Sequence, residues 1–156
     1  MFIVLKEKLW AYIVNNNPDL MFRLQDEYGV VKYLEEKVSG VMPLALRLLE
    51  EGKEGMAIHE LCMEDLTADL KPSRFNYLTT VISEEFETDY ARLRESGMLT
   101  YEAVNLVEFC KDTFEQLHFS TANEDDREIR YAIIGKVAEY LEKGRSKKQV
   151  VDSKKH

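Results

Sequence analysis

The chain has 156 residues, of which 45% are hydrophobic and 32% are charged, and its net charge is −8. A chain of this length is expected to form one domain with a buried core, and this composition is too apolar for a disordered protein and too charged for a membrane protein. The two cysteines are too few for a disulfide framework, and we read no signal peptide and no apolar run long enough to span a membrane. We therefore expect a cytoplasmic protein with reduced cysteines.

Charge is distributed unevenly along the chain. Residues 145–156 contain five basic residues and one acidic residue, which leaves 16 basic and 28 acidic residues in residues 1–144. We predict a single folded domain of net charge −12 over residues 1–144, followed by a disordered basic tail over residues 145–156. Because phosphates are repelled by an acidic surface, nucleic acid is disfavoured as a partner.

Apolar residues recur every three or four positions in the first half of the chain, which predicts helices. Residues 5–13 suit a first helix. Residues 17–19, Asn-Pro-Asp, then provide an N-cap, a proline in the first turn and an acidic residue for a second helix. From residue 31 to residue 49 the apolar spacing continues across Pro43, where we expect a kink or a break because proline clashes with the preceding turn.

The second half shows the same periodicity. A short apolar stripe covers residues 58–70, and a longer one predicts a single helix of about five or six turns over residues 73–95. Thr100 can cap a further helix, whose apolar residues run from Ala103 to Leu117. A last helix after Asn123 would end at Gly144, and its apolar stripe consists of Ile129, Ile133, Val137, Tyr140 and Leu141. Since no segment alternates as a strand would, the predicted fold class is all-α, with one irregular bundle of about five to seven helices.

One internal similarity is visible in the sequence. The residues Arg-Leu-x-Glu-x-Gly occur at 47–52 and again at 92–97, an offset of 45 positions that Leu61 and Leu106 share. Two interpretations remain open. The similarity could mark a repeated helical hairpin, or it could reflect only the residue types that commonly end helices.

The stretch from residue 49 to residue 86 resembles a family of small uncharacterised Bacteroidetes proteins, a domain of unknown function often found on conjugative elements. The shared positions are Glu51, Gly52, Ala57, Glu60, Leu61, Leu66, Leu70, Ser73, Leu78, Glu85 and Phe86, with an earlier similarity at Leu9, Tyr12, Pro18 and Leu20. This resemblance implies a helical fold. It supplies no activity, because the family has no assigned one.

Two pairs of residues have a spacing that occurs in metal sites. Glu115 and His118 form Glu-x-x-His, and His59 and Cys62 are also one helical turn apart. A di-iron bundle would need a second Glu-x-x-His pair and two further glutamates, and a zinc protease helix would need a second histidine. Because the ligand sets are incomplete, we expect no metal and no cofactor, and these residues are weak candidates only.

Patterns for catalysis are likewise incomplete. The chain has no nucleophile elbow and no phosphate-binding glycine loop. The adjacent acids Glu84 and Glu85 would point about 100° apart on a helix, so they are expected to be solvated rather than to share a proton.

Tyr77, Tyr101 and Phe109 lie off the predicted apolar stripes and are interface candidates, because aromatic residues are enriched at binding hot spots. The leading hypothesis is a non-enzymatic protein interaction module that meets an unidentified, basic protein partner, and the apolar first helix leaves a homodimer open. The alternatives are a nucleic-acid-associated accessory protein of a mobile element and an enzyme whose site is assembled from separated residues.

Overall fold

The structure, a computed structural model, describes the backbone of residues 1–154 and the side chains of residues 1–144. These residues form nine α-helices and one short 3-10 turn, Ala68–Leu70, and contain no strand, so the predicted all-α class is confirmed and the helix count is slightly higher than predicted. The helices are α1 Phe2–Asn16, α2 Pro18–Asp26, α3 Val30–Glu50, α4 Gly55–Thr67, α5 Arg74–Glu85, α6 Glu87–Glu95, α7 Leu99–Phe109, α8 Lys111–Gln116 and α9 Arg127–Lys154. None of the helices in this described part combines the length and the apolar character needed to cross a bilayer.

The chain divides into two compact units, Met1–Ser73 and Arg74–His156. The expectation of one domain over residues 1–144 stays a prediction. In the first unit, α1 to α4 surround a core to which every helix contributes through its apolar stripe. Its buried residues are Leu5, Leu9, Ile13, Leu20, Leu24, Val38, Val41, Ala45, Leu48, Ile58, Cys62 and Leu66.

The second unit packs α5, α7, α8 and α9 around a separate core, with Phe114 as its largest fully buried side chain. The rings of Tyr77 and Phe119 lie edge-on or tilted against Phe114, with centroid distances of 5.9 and 4.8 Å. The other buried residues of this cluster are Leu78, Val81, Ile82, Leu106, Cys110, Ile129, Ile133, Val137 and Leu141.

Two long helices that the apolar spacing predicted are each divided in the structure. The predicted helix over residues 73–95 is interrupted at Phe86, and the predicted helix after Thr100 is interrupted at Cys110. Both residues keep hydrogen bonds to the preceding turn, so the apolar stripe continues across each break and periodicity alone does not reveal it. Thr100 is not the N-cap, because α7 begins one residue earlier, at Leu99.

One predicted helix boundary differs, because α9 runs past Gly144 to Lys154. At Pro43, where a kink or a break was expected, α3 continues without a break. The side chains of residues 145–154, and the whole of residues 155 and 156, lie outside the described part of the chain. The predicted disordered tail over residues 145–156 therefore stays a prediction.

The two units have the same order of helices. In each unit, a single non-helical residue separates the first helix from a nine-residue second helix. A residue with positive φ then lies between the second helix and the third. Several buried residues of the first three helices correspond at an offset of 69 positions, as in Leu9 and Leu78, or Leu24 and Leu93. Those of the last helices correspond at an offset of 71, as in Cys62 and Ile133. The chain is thus built from two similar four-helix arrangements, with the third helix of the second unit divided into α7 and α8.

The 45-residue similarity has a different origin. Gly52 ends α3 and Gly97 ends α6, helices that hold different places in their units. Both glycines have positive φ, 79° at Gly52 and 73° at Gly97. In both cases the N–H of the next residue donates to the carbonyl five residues before it, which is the hydrogen bond of a Schellman motif. Leu61 is 38% exposed whereas Leu106 is buried. The shared residue types therefore reflect the same C-terminal capping motif in the two helices.

Candidate functional site: an acidic cleft in the second unit

An open cleft of about 850 Å³ lies in the second unit, where the junction between α5 and α6 faces α7 and α9. The junction exists because Phe86 leaves the helical conformation, with φ −136° and ψ 57°, so that α6 starts in a new direction. The lining residues are Glu84, Glu85, Phe86, Glu87, Thr88, Asp89, Arg92, Leu93, Glu102, Tyr140, Leu141 and Gly144. We call this site the acidic cleft.

Carboxylates dominate the charge of the acidic cleft. Five of its lining residues are acidic and one, Arg92, is basic. Arg92 lies 3.2 Å from Asp89, one helical turn away on α6. From outside the cleft, the Arg130 guanidinium adds one more positive charge to its edge. Even with both arginines counted, carboxylates outnumber cations by three, so the cleft attracts positively charged groups.

Arg130 joins the two adjacent glutamates of the α5 terminus. Its Nη2 atom donates to Glu84 at 2.7 Å and to Glu85 at 3.2 Å. The sequence predicted both glutamates to be solvated; they are exposed, but the shared guanidinium holds them at the edge of the cleft. Burial lowers the pKa of Arg130, whereas the two hydrogen bonds raise it, and the net shift is upward. Arg130 is therefore a fixed positive charge.

Tyr140 and Glu102 form the opposite side of the cleft. The Tyr140 hydroxyl donates to the Glu102 carboxylate at 2.5 Å, which links α9 to α7. Burial, together with the hydrogen bond to Glu102 and the negative charge of Glu102, raises the pKa of Tyr140 to about 12. The Phe109 ring packs against the Tyr140 ring in a tilted arrangement, at a centroid distance of 5.4 Å. This side of the cleft is consequently held in place by packing as well as by hydrogen bonding.

The combination of carboxylates with Phe86, Leu93 and Tyr140 suits a ligand that carries both positive charge and apolar surface. Lysine and arginine side chains have this character, because each has an aliphatic stem and a cationic end. Within the residues whose side chains are described, no three histidine, cysteine, aspartate or glutamate residues come together as metal ligands would.

The structure separates the residues that had metal-like spacing. His118 lies beyond the end of α8 with a left-handed backbone, φ 53°, so it does not share a helix face with Glu115. His59 and Cys62 are both on α4, where Cys62 is fully buried in the first core and His59 is half-buried. Burial raises the pKa of the Cys62 thiol, which disfavours the thiolate form that binds metals.

The three aromatic interface candidates occupy different environments. Tyr101 is 57% exposed. Tyr77 is half-buried, and its ring packs on Phe119 at 4.9 Å and on Phe114. Phe109 is half-buried against Tyr140. The structure therefore does not bring the three rings together as one exposed surface, and Tyr101 is the one that presents most of its ring to solvent.

Sequence reasoning did not identify the acidic cleft. Its acids are spread over residues 84–102, and its other side comes from α9, some 40 residues further along the chain. The available signal was the excess of acids in residues 84–95. The net charge of residues 1–144 predicted only that nucleic acid is disfavoured as a partner, and it did not predict that these acids line a cleft.

Comparison with protein family models, with curated proteins and with solved structures finds no match to this chain. The resemblance of residues 49–86 to an uncharacterised Bacteroidetes family accordingly stays a prediction.

Proposed function

We propose that this protein is a non-enzymatic interaction module that binds a basic segment of another protein. The observation that supports this proposal is the acidic cleft, in which five carboxylates and two aromatic rings surround an open volume of about 850 Å³. Such a surface is complementary to lysine and arginine side chains. It is repulsive to the phosphates of DNA and RNA, which argues against the nucleic-acid alternative.

A selection from a random peptide library displayed on phage tests the proposal. The full-length protein is immobilised, and peptides are recovered at moderate salt so that unspecific charge attraction is reduced. We expect recovered peptides to be enriched in lysine and arginine and to contain at least one apolar residue, because the cleft contains both carboxylates and rings. A library with no enrichment, or one enriched in acidic peptides, would contradict the proposal.

A duplex DNA titration at low and moderate salt tests the alternative. A basic nucleic-acid surface would produce binding whose affinity falls steeply with salt concentration, through release of counterions. We expect no saturable binding at either salt concentration. Saturable duplex binding with a steep salt slope would instead favour the accessory protein of a mobile element.

A further inference from the structure

In the first unit, the junction between α1 and α2 is covered by the chain itself. The Ser73 hydroxyl donates to the carbonyl oxygen of Asn16, and Asn17 Nδ2 donates to the carbonyl oxygen of Leu70 at 3.4 Å. Asn17 is thereby only 9% exposed, and Leu70 packs at the edge of the first core. We call residues 68–73, which leave the end of α4 and return to this junction, the covering segment.

The second unit has the same junction without this arrangement. Asn17 corresponds to Phe86, with φ and ψ within 1° of each other, and Leu70 corresponds to Leu141. After Leu70 the chain leaves the helix and turns back, whereas after Leu141 the helix α9 continues through Gly144. Leu141 and Gly144 both line the acidic cleft. Leu141 thus takes the place of Leu70, and the cleft lies where the end of the covering segment, up to Ser73, closes the first junction.

The charges at the two junctions differ in a consistent way. The positions that correspond to the five cleft carboxylates are uncharged in the covered junction: Asn15, Asn16, Pro18, Leu20 and Tyr33. Two acids take the places of uncharged cleft residues, Asp19 that of Thr88 and Asp69 that of Tyr140, and Asp69 pairs with Lys37 at 2.8 Å. Burying unpaired carboxylates under a peptide is costly, so a segment that covers the second junction must bring cations, which the first junction does not require.

We infer that the acidic cleft binds a short peptide segment of a partner protein, in the manner of the covering segment, with lysine or arginine side chains placed against Glu87, Asp89 and Glu102. This inference rests on the proposed function and adds to it the location and the form of the ligand. The bound segment is short, it reaches the α5–α6 junction near Phe86, and its apolar residue lies against Leu141.

A peptide with a sequence derived from the covering segment is the probe. Residues 68–73 read Ala-Asp-Leu-Lys-Pro-Ser. The probe carries the change Asp69→Lys, which gives Ala-Lys-Leu-Lys-Pro-Ser with both ends blocked, and the unchanged sequence is the matched control peptide. Each is titrated into the 15N-labelled full chain and followed by amide chemical shifts. We expect saturable shifts for the amides of residues 84–89 and 140–144, with the control peptide at least about fivefold weaker.

Three protein variants separate charge, shape and unspecific attraction. Glu87→Gln with Glu102→Gln removes two cleft charges, keeps an oxygen that can accept from Tyr140, and should weaken the probe about fivefold. Gly144→Trp keeps every carboxylate and fills the cleft; a Cβ there meets nothing within 4 Å, so the fold should tolerate it while binding falls at least about tenfold. Glu60→Gln with Glu64→Gln removes two exposed charges from α4 and should leave binding unchanged.

The results distinguish this inference from the proposed function. If library peptides rich in lysine and arginine bind but shift amides away from residues 84–89, or if the probe fails to bind when they do, the inference is wrong and the proposed function stands. If the unliganded protein shows concentration-dependent shifts at residues 84–89, a second copy of the chain occupies the cleft and the inference is wrong. If no basic peptide binds anywhere, both are wrong. Circular dichroism of each variant must match the parent, so that a loss of binding is not a loss of fold.

Discussion

Asn17 and Phe86 have the same backbone conformation, with φ and ψ of −135° and 56° at Asn17 and −136° and 57° at Phe86. The Asn17 N–H donates to the carbonyl of Ile13, and the Phe86 N–H donates to the carbonyl of Ile82. The carbonyls of Asn17 and Phe86 each accept from the N–H four residues later. The chain therefore changes direction at one residue while these backbone hydrogen bonds are kept. This geometry explains how a nine-residue helix can follow directly in both units.

The glycine that ends α6 should be sensitive to substitution. Gly97 has φ 73°, in the left-handed region, where a side chain costs about 1 kcal/mol or more, so Gly97→Ala should lower the free energy of unfolding by about 1 kcal/mol. Gly135→Ala is the matched control: it lies inside α9, an added Cβ meets nothing within 4 Å, and it should raise the free energy of unfolding by about 0.5–1 kcal/mol. Urea denaturation measures both. Equal effects of the two changes would contradict the left-handed assignment.

The second core should depend strongly on Phe114. This side chain is fully buried, and truncating a buried phenylalanine leaves a cavity, so Phe114→Ala should lower the free energy of unfolding by about 3–5 kcal/mol. Phe22→Ala, at a position on α2 that is 40% exposed, should cost well under half as much. Chemical denaturation followed by circular dichroism compares the two variants. A loss below about 1 kcal/mol for Phe114→Ala would show that the core does not pack around this ring.

Helix type and core composition could be predicted from the sequence because both depend on local periodicity. Of the apolar stripe predicted for the last helix, Ile129, Ile133, Val137 and Leu141 are buried in the second core, and Tyr140 is partly buried against it. The proline at position 18 also marked the start of α2 correctly, since it suits the first helical turn. Asn17, however, occupies the N-cap position without a capping hydrogen bond from its side chain, which reaches Leu70 instead.

The breaks and the cleft could not be predicted, because they depend on tertiary contacts. No glycine or proline is adjacent to Phe86. Its ring continues the apolar stripe of α5, although its backbone leaves the helical conformation. Pro43 shows the opposite case: a residue that usually disturbs a helix lies within an unbroken one. The 69-residue correspondence between the units was also missed, because it is carried by burial and backbone conformation more than by shared residue types.

The Tyr140–Glu102 contact should make stability depend on pH in the alkaline range. The pKa of Tyr140 is raised from 10.0 to about 12, so the folded protein holds this proton over a range in which the unfolded chain has released it. Its contribution is therefore complete below about pH 10 and is lost as pH rises towards 12. Tyr140→Phe should lower the free energy of unfolding by about 1 kcal/mol at neutral pH and flatten its fall between pH 10 and 12.

Two measurements test this dependence. Denaturation at pH 8, 10 and 11 gives the stability of the parent and of Tyr140→Phe, and absorbance at the tyrosinate band follows the titration itself. Glu102→Gln is the control, because it keeps an acceptor for the hydroxyl but removes the negative charge that opposes ionisation, so the pKa of Tyr140 should fall towards its ordinary value. A parent protein whose alkaline loss of stability is the same as that of Tyr140→Phe would contradict the assigned contact.

Both cysteines should be unreactive in the folded protein. Cys62 and Cys110 are fully buried, and burial raises the pKa of the Cys110 thiol from 9.0 to about 11, with Lys136 lowering it only in part. Two pKa units correspond to about a hundredfold less thiolate at pH 8, and the thiolate is the reactive form. A disulfide reagent such as Ellman's reagent should therefore react with neither thiol at an appreciable rate in the native state and with both in guanidinium chloride. Cys62→Ala and Cys110→Ala identify which thiol reacts. One equivalent of rapid reaction in the native state, lost in Cys110→Ala, would show that α7 and α8 open at Cys110, the residue at which the two helices meet.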